Sequence, residues 1–215
     1  MIHTSINNIK LINNEDEFKN SNAEIIAVSK TFSKEDIKPL IDYGHNHFGE
    51  NKVQEAQEKW SELKEVNKNL KLHLIGKLQS NKVKFCLPLF DYIHSLDSYK
   101  LAEKISSEQI KKNFKPKIFI QVNIGGESQK NGIHPNSLES FLNECNLNLD
   151  LDIIGLMCIP PNDNNSQIYF KKMYELNSKF LFEHLSMGMS ADYKIALSYG
   201  ATFVRIGSKI FGSRI

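Results

Sequence analysis

The sequence predicts an α/β fold, a single (β/α)8 TIM barrel that takes residues 1–215 as one domain. Three observations carry this expectation. Eight short runs rich in Ile, Val, Leu or Phe recur along the 215 residues. Segments with helical periodicity follow most of them, and strands alternating with helices build parallel sheets. A count of eight favours closure into a barrel over an open doubly wound sheet, with lean loops because the chain is short for that fold.

The predicted strands are Ile25–Val28, His47–Gly49, Leu72–Ile75, Tyr92–Ser95, Ile118–Val122, Ile153–Met157, His184–Met187 and Phe203–Ile206. After the first, Ser33 and Asp36 form a capping-box pattern, Ile37, Leu40 and Ile41 make an apolar stripe, and Gly44 marks the stop. Val53, Ala56, Trp60 and Leu63 repeat the stripe after the second. Pro135 starts a helix after the fifth run, with Leu138, Phe141, Leu142 and Cys145 on one face. Phe170, Met173 and Leu176 do the same after the sixth. Stretches 67–71 and 162–166, rich in Asn and Lys, read as solvated loops.

Composition narrows the function. A net charge of +2 gives no whole-chain reason to bind nucleic acid. The longest apolar stretch, Ile153–Ile159, is far too short to span a bilayer, and no signal-peptide pattern precedes it. Cys86, Cys145 and Cys158 are odd in number and widely spaced, which suggests buried thiols in a reducing cytoplasm and neither disulfides nor a metal site. The seven His show no ligand motif such as HExxH. Basic residues are lopsided, 25 Lys against two Arg, Arg205 and Arg214. An Arg retained in such a chain is a candidate for a specific role.

Barrel active sites lie beyond the C-terminal strand ends. Alternation puts Ile26, Val28 and Lys30 on one face, aiming Lys30 at the barrel mouth. An amine partly desolvated there has a lowered pKa and can form a Schiff base with an aldehyde; the plain alternative is a snorkelling surface Lys. At the last two strand ends, 186–190 (SMGMS) and 204–208 (VRIGS) place Gly and Ser where helices begin, as phosphate-binding barrels do. Ser190 and Ser208 offer hydroxyls, although Ser190 reads equally well as a helix N-cap. The polar loops 49–51 and 76–82 read plainly as capping and solvent exposure. The fifth loop, 125–132, has the composition of a mobile lid or of an ordinary connector.

Read together, 27–31 (AVSKT), 48–55 (FGENKVQE), 73–76 (HLIG) with 78–82 (LQSNK), 155–157 (GLM), 185–190 (LSMGMS) and 204–212 (VRIGSKIFG) resemble the YggS/PROSC-type pyridoxal-phosphate homeostasis proteins. The likeness runs through nearly the whole chain from Ile25 and touches almost every strand. It implies a fold-type III barrel like the N-terminal half of alanine racemase, with pyridoxal 5'-phosphate in its mouth. By this resemblance Lys30 carries the cofactor as a Schiff base, Ser190, Gly207 and Ser208 hold its phosphate, Arg205 faces the pyridine nitrogen and Asn51 lies near the ring. Ser208 stands where relatives often have Thr, and Lys52 where they often have Tyr or Arg.

A guanidinium stays charged and cannot accept the ring proton, so Arg205 implies a weak electron sink. Racemisation needs a second base opposite Lys30, which alanine racemases draw from a further β-domain; the expectation is that this chain lacks it. A cytoplasmic, monomeric protein that buffers pyridoxal phosphate or passes it to apo-enzymes is therefore expected, without robust turnover. A small amino-acid racemase is the alternative, and an aldolase-like barrel using Lys30 a more distant one.

Overall fold

The computed structural model describes residues 3–127 and 129–212. Among them, eight strands form a closed parallel barrel in chain order: β1 (Glu24–Val28), β2 (His47–Glu50), β3 (Lys71–Leu74), β4 (Tyr92–Leu96), β5 (Lys117–Gln121), β6 (Asp152–Met157), β7 (His184–Met189) and β8 (Phe203–Ile206). Closure comes from β1 pairing with β8, Ile26 opposite Arg205 and Ala27 opposite Ile206. Each predicted run lies on its strand, β8 at its predicted bounds and the others with an end moved by one or two residues. Several shifts occur where a polar residue, such as Glu24, Glu50, Lys71, Lys117 or Asp152, continues the extended backbone.

The helices are α1 (Thr4–Asn13), α2 (Asp16–Lys19), α3 (Lys34–Asp42), α4 (Val53–Val66), α5 (Val83–Cys86), α6 (Tyr99–Lys112), α7 (Leu138–Asn148), α8 (Ser166–Lys179), α9 (Tyr193–Ser198) and α10 (Ser208–Phe211). α3 begins with the capping box anticipated from Ser33 and Asp36, both reciprocal bonds being present. Gly44 follows it at φ 98°, the left-handed stop that glycine accepts without strain. The outward strand faces and the inward helix stripes share one core containing Leu40, Phe48, Trp60, Leu72, Ile93, Ile118, Leu142, Phe170 and Val204. Inside the barrel, Ile26, Phe119, Met157 and Phe203 form a separate apolar cluster. All three cysteines are buried and free.

Two features add to the sequence reading. The N-terminal segment, for which nothing was expected, forms α1, buries Ile9 and Ile12, and seats Asn8 on the Ile210 carbonyl of α10 at 2.9 Å. For the fifth loop, read as either a lid or an ordinary connector, the contacts favour the connector: Asn123 Nδ2 donates to the Glu127 carbonyl, Lys130 pairs with Glu127 at 2.6 Å, and Ile133 bridges to Val122 beside β5. Ser128 of that loop lies outside the described residues. Among the described residues, no helix is long and apolar enough to cross a membrane.

Candidate functional site

A cavity of about 380 Å³ opens at the C-terminal end of the barrel. Lys30, Asn51, Ser190, Arg205, Gly207 and Ser208 all line it, so the structure brings the six predicted site residues into one place. Val28, Phe32, Ile75, Ile159, Met189, Ala191 and Gly212 complete the wall. Val28 was expected on the face that carries Lys30; Phe32, Ile159, Ala191 and Gly212 were not anticipated, because single residues beyond strand ends carry no sequence pattern of their own.

Lys30 sits at the first central position of a tight turn, closed by the Phe32 N–H donating to the Ser29 carbonyl at 3.1 Å. Thr31 follows at φ 69°, a left-handed conformation that a β-branched residue rarely adopts. Such strain persists only where surrounding contacts enforce it. Here Glu55 Oε1 accepts the Thr31 N–H at 2.7 Å. On the other side, the Ser29 hydroxyl donates to Glu50 Oε1 at 2.8 Å, and the Ser29 carbonyl accepts from Lys59 Nζ at 2.9 Å.

Glu50 is fully buried, and the same Oε1 also accepts from Lys59 Nζ and from Trp60 Nε1, each at 3.0 Å. The 48–55 motif therefore has a mechanical reading: its two glutamates reach back across 20-odd residues to hold the residues flanking Lys30, Glu50 through the Ser29 hydroxyl and Glu55 through the Thr31 N–H. Asn51 owes its place to a close approach, since a Cβ on Gly76 would stand 2.3 Å from the Asn51 carbonyl oxygen. Only glycine lets those two loops touch.

Arg205 points inward from β8 and is 4% exposed. Its Nη1 donates to Ser186 Oγ at 2.6 Å and its Nη2 to the Cys158 carbonyl at 2.8 Å. Among the described residues, no carboxylate lies within ion-pair distance of it. Burial pulls its pKa down from the ordinary value, but a guanidinium keeps its proton across the ordinary pH range. Arg205 is thus a buried cation that neutral acceptors hold in place.

Ser190 lies in the loop after β7 and is not a helix cap. Asp192 takes the N-cap position of α9, with its carboxylate accepting the Met189 N–H at 2.7 Å. Ser190 Oγ instead accepts the Gly207 N–H at 3.4 Å, joining the ends of β7 and β8. Gly207 is the N-cap of α10, and Ser208 begins that helix. Gly188, at φ 90°, makes the sharp turn possible; a Cβ there would come 2.6 Å from that of Ala196. The result is an amine, a guanidinium, two hydroxyls and the Gly207–Ser208 start of α10 lining one cavity. That set suits an aromatic anion bearing a carbonyl.

The family described as "Alanine racemase, N-terminal domain" matches residues 6–215. A pyridoxal phosphate homeostasis protein of Aquifex aeolicus is 41% identical over 202 residues, covering 89% of this chain and 87% of its own. One from Vibrio cholerae is 39% identical over 205 residues, covering 90% and 86%. The solved structure of PipY from Synechococcus elongatus, with PLP bound, is similar at a TM-score of 0.87 and 32% identity, covering 98% of this chain and all of that one.

Proposed function

The chain belongs to the alanine racemase N-terminal domain family, among the pyridoxal phosphate homeostasis proteins, and from that premise we propose how its residues hold the cofactor. Lys30 is the amine to which the cofactor's aldehyde is joined as a Schiff base. Ser190, Gly207 and Ser208 hold the phosphate, Arg205 donates to the pyridine nitrogen, and Asn51 borders the ring. The donor set fits the group: Arg205 is a buried cation without a carboxylate partner among the described residues, and the α10 N-terminus favours an anion. When bound, pyridoxal 5'-phosphate supplies an electrophilic aldehyde on an aromatic ring.

One observation favours holding the cofactor over turning it over. Lys30 and Arg205 are the titratable side chains among the described residues lining the cavity. Arg205 can only donate, and it leaves the ring nitrogen without the proton that makes a strong electron sink. Among the described residues lining the cavity Lys30 is thus the base, on one side, whereas racemisation needs bases on two. On this reading the chain acts in intracellular vitamin B6 homeostasis, buffering pyridoxal phosphate or delivering it to apo-enzymes. It works in the cytoplasm as a monomer of one cofactor-binding domain, residues 1–215.

Spectroscopic titration with pyridoxal phosphate, paired with incubation of the loaded protein with L-alanine, L-serine or L-glutamate, tests the proposal. Expected are a visible band that Lys30→Ala abolishes, weaker residual binding in that variant through the phosphate contacts, and no D-isomer at enzymatic rates. An unchanged band in Lys30→Ala would remove Lys30 from its role, and rapid D-isomer formation would make the chain a racemase.

A further inference from the structure

The barrel interior below the cavity holds a line of polar side chains in a place where barrels normally pack aliphatic layers. Arg205 Nη1 donates to Ser186 Oγ, and Ser186 Oγ lies 2.9 Å from His94 Nδ1. His94 Nε2 lies 2.9 Å from His73 Nδ1, and His73 Nε2 lies 2.9 Å from His47 Nδ1. These residues come from β8, β7, β4, β3 and β2, and the line crosses the barrel from the cavity to its floor. Ser186, His94 and His73 are fully buried, while His47 at the floor is partly exposed. Aromatic rings fix the planes: Phe119 stacks on His94 at 4.3 Å and Tyr92 on His73 at 4.2 Å. Among the described residues no group of His, Cys, Asp and Glu is disposed to hold a metal ion. The histidines bond to one another in sequence instead of converging on a point.

Proton accounting gives this line a direction. Arg205 has donors and no acceptor, so Ser186 must accept from it. The one hydroxyl proton of Ser186 then has His94 Nδ1 as its acceptor. His94 consequently carries its proton on Nε2 and donates to His73 Nδ1. His73 likewise carries an Nε2 proton and donates to His47 Nδ1, which leaves His47 as an Nε2–H tautomer too. The reverse polarity would make Ser186 accept twice and strand its own proton in a dry interior. Charging any one histidine would set two donors against each other. Burial, reinforced for His94 by Arg205 and for His73 by its histidine neighbours, holds both rings well below the usual imidazole range. The other charged groups facing the line are Lys64, Lys71 and Asp91, at its floor end.

We propose that Ser186, His94, His73 and His47 form a hydrogen-bond wire of single polarity that positions the Arg205 guanidinium against the cofactor ring. Its members are positioning residues, since they act through Arg205. Every hydrogen in the wire points away from Arg205, so the aligned dipoles present their acceptor end to the cation, and successive bonds reinforce one another. The wire fixes where Arg205 aims its remaining N–H groups and thereby tunes the electronic state of the ring. This role rests on the reading of Arg205 as the donor to the pyridine nitrogen; the polarity of the wire does not.

The test uses the full chain in two arms. In the protein without added cofactor, long-range ¹H–¹⁵N correlation at neutral pH reads the imidazole tautomers; His47, His73 and His94 are expected as Nε2–H, and an Nδ1–H or charged form at His73 or His94 overturns the wire. With pyridoxal phosphate bound, His94→Phe keeps a stacked ring but removes the acceptor, and is expected to shift the visible band and to release His73 into a tautomer mixture. His94→Asn, whose Oδ1 replaces Nδ1 as acceptor for Ser186, is expected to restore the band. A band unmoved by His94→Phe, or moved equally by both variants, refutes the coupling to Arg205. Absence of any band from the unsubstituted protein would instead defeat the cofactor reading, while the tautomers are still read without it.

Discussion

At the scale of single residues, the site's behaviour follows from what each side chain can donate. Ser190 accepts the Gly207 N–H and presents its hydroxyl to the cavity. Hydrogen bonds to charged groups contribute about 1.5–3 kcal/mol, so Ser190→Ala is expected to weaken pyridoxal phosphate binding by about 10–100-fold in an absorbance titration. Equal affinity would place the phosphate elsewhere. Gly188 has a purely structural duty: at φ 90°, with Ala196 in the way, Gly188→Ala is expected to lose about 2 kcal/mol, or about 4–8 °C in Tm. These residues were legible because Gly and Ser at the last two strand ends form a local pattern. Ser190's partner was not legible, since a cap and a bridge to Gly207 look alike until β7 and β8 are placed side by side.

At the scale of elements, α4 has a second task besides covering β2. It delivers Glu55, Lys59 and Trp60 to the turn that carries Lys30, with buried Glu50 at the centre. Removing one member of a buried pair leaves the other charge uncompensated, so Lys59→Met is expected to cost about 3–5 kcal/mol by denaturant unfolding. Adding Glu50→Gln should recover much of that loss. Simple additivity of the two would contradict the coupling. The stripe of α4 was readable from Val53, Ala56 and Trp60, but its grip on Thr31 spans 24 residues and leaves no local trace. α1 was unread for a different reason. Its Ile6, Ile9 and Ile12 lie among Asn and Lys, so tertiary packing on α10, not propensity, makes the helix.

At the scale of the whole molecule, the eightfold alternation was legible because each apolar run is bounded by helix signals, and closure followed from the count. The polar interior was not. His47, His73 and His94 look unrelated when searched for ligand spacing, and only their shared inward phase on adjacent strands connects them. That interior makes the barrel sensitive to acid. Burial lowers His73 and His94 strongly and holds His45 and His47 at about 4, all below the unfolded value near 6.5. Below pH 6.5 the unfolded chain therefore binds more protons than the folded one, and stability falls as pH drops toward 4. The slope is expected to reach about 1.4 kcal/mol per pH unit for each fully buried ring. Denaturant midpoints unchanged between pH 7 and pH 5 would contradict neutral, buried imidazoles. The central claim, that Lys30 carries pyridoxal phosphate, meets its most direct test in borohydride reduction of the loaded protein followed by peptide mapping. A stable phosphopyridoxyl adduct on Lys30 is expected as the dominant product; a dominant adduct on any other amine, or none at all, would contradict that assignment.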